Sequence, residues 1–416
     1  MMHIFYEIII RLYVLVIRAC AAFSDKAALW IDGRNDWEKR LRKAIPEDGK
    51  VVWFHCASLG EFEQGRPVIE ALRKKYPDRF ILLTFFSPSG YQVRKNYSGA
   101  DFVCYLPPDL IRSVRRFLDI AKPEIAIFVK YEFWFNFLRE LNKRDVPVLL
   151  ISARFRRDQH FFKWYGGWFR KKLQHFTEIH VQDKASAVLL RSVNYRKVTI
   201  SGDSRYDRVR QNARHPKELP EITNWLNGKT AFIAGSTWPV DDNLMFPWNV
   251  ENGALIIAPH EIDDARIKEL EKATQGKSIR YSELKKSPDT TKTILILDNM
   301  GMLLSVYALG RAAYVGGGFG KGLHSILEPA ACGLPVIFGP KHEKFPEAAA
   351  LEKAGGGKSI SNDEEFKYAF DQFNDPAEIK KLRKICLSFV SERAGATQVI
   401  TTSLKKYLDP QKKKLK

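Results

Sequence analysis

Glu61 is the first residue of this 416-residue chain placed to do chemistry. It stands in HCASLGEFEQGRP, residues 55–67, just after an apolar run and three residues after Ser58. A carboxylate at the carboxyl end of a strand can take a proton from a hydroxyl as a general base. Gly60 beside it would let an acceptor approach closely. The spacing S-x-x-E is also a helix capping box, in which Glu61 reaches back to the Ser58 N–H, and the pattern alone does not choose. Lys130-Tyr131-Glu132 follows a second apolar run. Lys130 and Glu132 could hold a charged acceptor or pair with each other.

The second half offers backbone rather than carboxylates. From Tyr314 to Pro340 a short apolar strand passes into a loop with Gly316, Gly317, Gly318, Gly320 and Gly322, and a helix is expected near Ser325. Glycines let backbone approach a ligand, and a helix N-terminus attracts anions, so this stretch suggests a phosphate cradle that includes Gly318 and Lys321. A glycine-rich turn without a ligand is the alternative. Ser325-Ile326-Leu327-Glu328 repeats the S-x-x-E pattern, and Glu328 carries the same capping alternative as Glu61. Ser236 and Thr237 follow another strand in a turn of small residues suited to a ligand or a facing domain. Pro259 and His260 follow the next strand, and Met300 and Gly301 the one after.

These residues need elements to position them. Apolar runs at residues 51–57, 80–85, 102–106, 125–129 and 148–152 read as strands, with helical patterns such as 63–75 and 110–121 between them. Strands alternating with helices predict a parallel, doubly wound sheet. Residues 207–229 break the rhythm with Pro216 and Pro220, after which strands are expected at 231–234, 254–258, 293–297, 312–315 and 336–338. The expected organisation is therefore a helix at 1–23, a first Rossmann-like domain at 24–212 and a second at 213–416, with ligands in an interdomain cleft at strand carboxyl ends.

Composition narrows the partners. A net charge of +19 calls for something anionic: nucleic acid, a membrane surface or a phosphorylated substrate. Five dispersed cysteines without a Cys/His cluster argue against a disulfide framework or a zinc site, and no acidic cluster suggests Mg²⁺. In residues 1–23, Glu7, Arg11 and Arg18 fall within ~40° of one helical face and the rest is apolar, which predicts a retained helix that enters or lies on a membrane. Residues 152–176 interleave basic residues with eight aromatics, a pattern suited to anionic lipid or to single-stranded nucleic acid. A nucleic-acid binder would leave the strand-end motifs of both halves unexplained.

Taken together, HCASLGE, KYEFW, AGSTW and GGGFGKGLHSILEPAACGLPVIFGP resemble the 3-deoxy-D-manno-octulosonic acid (Kdo) transferases of lipopolysaccharide synthesis, across nearly the whole chain. The resemblance implies a two-domain GT-B glycosyltransferase, with CMP-Kdo as donor and a lipid A precursor as acceptor, at the cytoplasmic face of the inner membrane; with no acidic cluster in the sequence, no metal is expected. It implies Glu61 as catalytic base, and the residue reading adds Ser58, Gly60, Lys130 and Glu132 as candidate acceptor contacts. CMP contacts map onto Pro259 and His260, onto Met300, Gly301 and Met302, and onto Ser325, Ile326, Leu327 and Glu328. Two positions depart from the family pattern. His260-Glu261 replaces an Arg-His pair, and Met302 replaces a glutamate. A GT-B enzyme using another nucleotide sugar is the nearest alternative.

Overall fold

The computed structural model describes residues 2–246, 251, 253–286, 289–320, 322–373 and 375–409. The chain divides into two units, residues 1–207 with 394–416, and residues 208–393. Each is built on one seven-stranded parallel sheet.

In the first unit the strands are β1 (Val51–Cys56), β2 (Phe80–Phe85), β3 (Phe102–Tyr105), β4 (Pro123–Val129), β5 (Val148–Ala153), β6 (Glu178–Val181) and β7 (Val198–Ile200), in the order β3-β2-β1-β4-β5-β6-β7. Successive residues of β1 point to opposite faces. Val51 and Trp53 enter one buried cluster, and Val52, Phe54 and Cys56 enter the other. Both faces are covered, so the strand reads as a continuous apolar run. The chain leaves β1 toward β2 on one side and returns to β4 on the other, which makes the carboxyl ends of β1 and β4 a topological switch point.

The second unit has β8 (Ala231–Thr237), β9 (Ala254–Pro259), β10 (Ser278–Arg280), β11 (Ile294–Ile296), β12 (Gly310–Val315), β13 (Val336–Phe338) and β14 (Gly357–Ser359), ordered β10-β11-β9-β8-β12-β13-β14. Its switch point lies between β8 and β12. All ten strands expected from the sequence form. The four unforeseen ones, β6, β7, β10 and β14, are three or four residues long and carry polar residues, so they present no apolar run to detect.

The expected assignment of residues 394–416 to the second domain does not hold. The helix Ala396–Leu408 places Ile400, Leu404 and Leu408 in the first unit's core beside Val52, Phe54 and Leu72. An i, i+4, i+8 apolar stripe requires such a face. Asp207 fixes the start of this helix by accepting the Gly395 and Thr397 N–H groups at 2.5 and 2.8 Å.

The N-terminal helix, Met2–Cys20, forms as expected. It docks through polar groups: the Tyr6 hydroxyl donates to Asp109 at 2.6 Å, and the Glu7 carboxylate accepts the Ile111 N–H at 3.3 Å. Glu7 thus faces the body of the unit, at the N-terminus of the helix Ile111–Ala121, where a negative charge is favourable. Ile4, Phe5, Ile8, Leu12, Leu15 and Val16 remain exposed. No helix among the described residues is long and apolar enough to cross a membrane. In the 152–176 segment, Phe155, Phe161 and Phe176 are core residues, whereas Trp164 is 92% exposed.

Candidate active site

At the first switch point the chain turns from β1 straight into the helix Leu59–Lys75. Ser58 is its N-cap and the capping box is complete. The Ser58 N–H donates to Glu61 Oε2 at 3.1 Å, the Ser58 hydroxyl donates to the same oxygen, and the Gly60 N–H donates to Ser58 Oγ at 3.3 Å. This fixes the Glu61 side chain and leaves Oε1 facing Lys130 Nζ at 3.6 Å. The cap and the Lys130 contact therefore engage different oxygens of one carboxylate. Lys130 ends β4 with φ of +71°, a left-handed conformation that costs a lysine about 1–3 kcal/mol.

Glu132 goes elsewhere. It is 7% exposed, and its Oε2 meets His55 Nε2 at 3.0 Å and accepts the Trp134 Nε1–H at 2.5 Å. His55 is fully buried on β1 and is held from behind by Thr84 Oγ1, 2.9 Å from Nδ1. Lys130 and Glu132, read from sequence as potential partners of each other, have separate partners, and the left-handed backbone of Lys130 lies between β4 and Glu132. The sequence reading did not single out His55 or Trp134. A lone histidine inside an otherwise apolar strand was the available signal.

The second switch point is built differently. The Gly316 N–H donates to Gly235 O at 2.9 Å, and a β-carbon on Gly316 would lie 2.3 Å from Ser236 O. Gly318 packs as closely on Gly339, where a β-carbon would be 2.7 Å from the Cα. Buried Asp241 ties the turn together by accepting the Trp238 N–H at 2.8 Å, the Gly317 N–H at 3.1 Å and the Tyr314 hydroxyl at 2.6 Å. The Gly320 and Gly322 N–H groups donate to Gly317 O. Four of the five loop glycines thus donate their N–H groups to oxygens of the protein itself, and glycine serves close backbone packing here. Lys321 lies outside the described residues.

The helix after this loop is Leu327–Ala331, starting two residues later than expected. Its N-cap is Ile326, with no side-chain cap bond, so the second S-x-x-E does not form a capping box. A helix start at Leu327 leaves Ser325 exposed and outside it, while Ile326 and Leu327 are buried. Glu328 is half-buried; burial raises its carboxyl above the ordinary range, opposed by the positive charge of Arg208.

Ser236, with φ of +55°, and buried Thr237 close β8, and the Thr237 carbonyl accepts the His260 N–H at 3.0 Å. The structure thereby brings Ser236, Thr237, Pro259 and His260 together. The His260 ring stacks on His324 at 4.3 Å and lies 4.6 Å from Trp238, while Trp238 Nε1–H donates to His324 Nε2 at 3.2 Å. Burial, then the neighbouring His260 charge, lowers the His324 pKa. Trp238, Asp241 and His324 were not among the sequence-derived site residues, although Trp238 and His324 lie inside the motifs that carry the resemblance. Met300, Gly301 and Met302 follow β11, the sheet neighbour of β9. Met300 is exposed, Gly301 turns with φ of +91°, and Met302 is buried in the core. No cluster of three or more potential metal ligands occurs among the described residues.

Two parallel Rossmann-like units, each with its polar cluster at a switch point, define the class. The fold is shared with UDP-GlcNAc 2-epimerase from Neisseria meningitidis, solved with UDP-GlcNAc, at TM-score 0.60 and 15% identity over 86% of this chain and 100% of that one. Residues 35–208 match the family described as 3-deoxy-D-manno-octulosonic-acid transferase (kdotransferase). The chain is 27% identical over 374 residues to the 3-deoxy-D-manno-octulosonic acid transferase of Haemophilus influenzae, covering 86% of this chain and 87% of that protein. It is 28% identical over 325 residues to that of Aquifex aeolicus, covering 76% and 83%. The chain is a glycosyltransferase, similar over most of its length to Kdo transferases.

Proposed function

We propose that this GT-B type enzyme transfers Kdo from CMP-Kdo to a lipid A precursor of the lipid IVA type in lipopolysaccharide biosynthesis. The reaction is an inverting single displacement with Glu61 as general base. The observation that carries the reading is the Glu61 carboxylate itself. Its Oε2 is immobilised by Ser58, and its Oε1 is directed at Lys130 at the switch point of a Kdo-transferase domain. Oε1 takes the proton of an acceptor sugar hydroxyl as that oxygen attacks the anomeric carbon of Kdo and CMP departs. Positive charge builds on the sugar in an oxocarbenium-like transition state. Ser58, Gly60, Lys130 and Glu132 line the acceptor side, and Glu132 acts there as a residue fixed by His55 and Trp134.

On the donor side, CMP is assigned to Pro259 and His260, to Met300, Gly301 and Met302, and to Ser325, Ile326, Leu327 and Glu328. Gly318, Lys321, Ser236 and Thr237 are assigned to its phosphate. Basic residues and backbone dipoles, rather than a metal, offset the phosphate charge in this reading. The exposed apolar face of the N-terminal helix and the basic residues around exposed Trp164 support a location on anionic lipid at the cytoplasmic face of the inner membrane, with the helix lying in the interface.

The test is transfer from CMP-Kdo to a lipid A precursor, run beside thermal shifts with CMP, UDP and GDP. A ligand that binds the native state alone raises its stability. Kdo-bearing product and a shift specific to CMP are expected. A shift with UDP or GDP alone, and no Kdo product, would replace the donor.

A further inference from the structure

Beside the first switch point lies a cavity of about 270 Å³. Ile9, Ile10 and Tyr13 of the N-terminal helix form one wall, and Trp30, Phe86 and Trp134 form the other. Its one charged lining residue, Asp109, already accepts from the Tyr6 hydroxyl and from the Asn136 and Phe137 N–H groups. The aromatic wall is rigid. The Arg34 guanidinium lies 3.7 Å over the Trp30 ring and donates to the carbonyls of Leu106, Trp30 and Phe86 at 2.8–2.9 Å. Trp30 is 95% buried, and its Nε1 has no hydrogen-bond partner. Trp134 has two surroundings: its ring lines the cavity 4.6 Å from Phe86, while its Nε1–H donates to Glu132.

We propose that this cavity binds one fatty acyl chain of the acceptor lipid, a subsite that rests on the reading of the acceptor given above. The lining is almost wholly apolar, so burying methylenes there is favourable. The volume lies just below the usual range for small-molecule sites, which suits a single chain rather than a ring system. The cavity is bounded by the same helix whose other residues, Ile4, Phe5, Ile8 and Leu12, are exposed and apolar, so a chain reaches it from a lipid phase. Acceptor lipid rather than bulk lipid is indicated by Trp134, which couples the cavity to the Glu132–His55 cluster and so ties the chain's position to the sugar that must meet Glu61.

The test uses the full-length protein on anionic vesicles with two photoreactive probes. One is a lipid A precursor carrying a diazirine on one acyl chain; the other is phosphatidylglycerol carrying the same group. The acceptor probe is expected to label peptides containing Ile9, Trp30, Phe86 or Trp134, and phosphatidylglycerol those containing Ile4, Phe5 and Leu12. Ile9→Trp, at a half-exposed helix position, narrows the cavity. It is expected to reduce labelling of the Trp30 and Trp134 peptides and to lower the preference for acylated over deacylated acceptor roughly tenfold, the equivalent of about two buried methylenes. Labelling by both probes confined to the exposed helix face would overturn the proposal. So would equal labelling of the cavity by phosphatidylglycerol. Absence of Kdo transfer to either acceptor would overturn the functional reading instead, and the labelling pattern of the wild-type protein would still decide the subsite.

Discussion

At the carboxyl end of β1 the chain gathers two glutamates, a lysine and a histidine; at the carboxyl end of β8 it gathers glycines, one buried aspartate and three stacked rings. The two positions are topologically equivalent, and the same parallel sheet supports both. The first site is made by side chains, and one carboxylate oxygen, Glu61 Oε1, is left outside the capping box. The second is made by backbone. Asp241 and the Gly235 and Gly317 carbonyls engage the loop N–H groups and hold the Trp238–His260–His324 stack in place. Sheets of one design therefore carry a cluster of charged side chains in one unit and a closely packed, ring-faced turn in the other, and the two should fail differently when perturbed.

The largest effect is expected in the first site. Glu61→Ala removes the proposed base and one half of the capping box, and turnover should fall ~10²–10⁴-fold with about 1 kcal/mol of stability lost. Glu132→Leu tests the buried neighbour. It removes the acceptor shared by His55 Nε2 and Trp134 Nε1–H and leaves these two ring nitrogens only each other, 2.9 Å apart, at about 1–3 kcal/mol, so chemical denaturation should show a loss confined to the first unit. The half-buried Lys130–Glu61 pair, at 3.6 Å, contrasts with it, since Lys130→Ala should cost no more than about 1 kcal/mol. If Glu132→Leu proves as mild as Lys130→Ala, the buried cluster is not the rigid element described here.

In the second site the equivalent break is a methyl group. Gly316→Ala should cost about 1–3 kcal/mol through overpacking against the Ser236 carbonyl, and should weaken the thermal shift produced by CMP. The smallest effect is a pH dependence. The His324 pKa is lowered in the folded state, so the unfolded chain binds the extra proton first. Its contribution to stability is full above about 6.5 and is lost as the pH falls below that value toward the lowered one. His260 and Asp241 are the ionisable neighbours. His324→Gln should flatten that part of the melting-temperature profile; an unchanged slope would assign it to another group.

Much of the fold was legible because buried parallel strands are apolar runs, and ten of the fourteen announced themselves that way. The glycine loop was read for its composition rather than its contacts. Sequence reveals that Gly316 and Gly317 lack side chains but not that Asp241, more than seventy residues earlier, already occupies the Gly317 N–H. The helix start near Ser325 was misplaced for a related reason: S-x-x-E specifies a capping box only where the backbone is free to begin a helix at that serine. At Ser58 the strand ends two residues before and the box forms. The return of residues 394–416 to the first unit is a long-range packing choice, hidden in an apolar stripe that either unit could have buried.

The most direct test of the central claim is the rate of Kdo transfer by Glu61→Gln. Glutamine can complete a capping box but cannot accept the acceptor's proton, so the substitution separates the two roles of this side chain. The prediction is a protein with wild-type melting temperature and turnover lowered ~10²–10⁴-fold. Near-wild-type turnover in that folded variant would contradict the assignment and leave Glu61 as a helix cap alone.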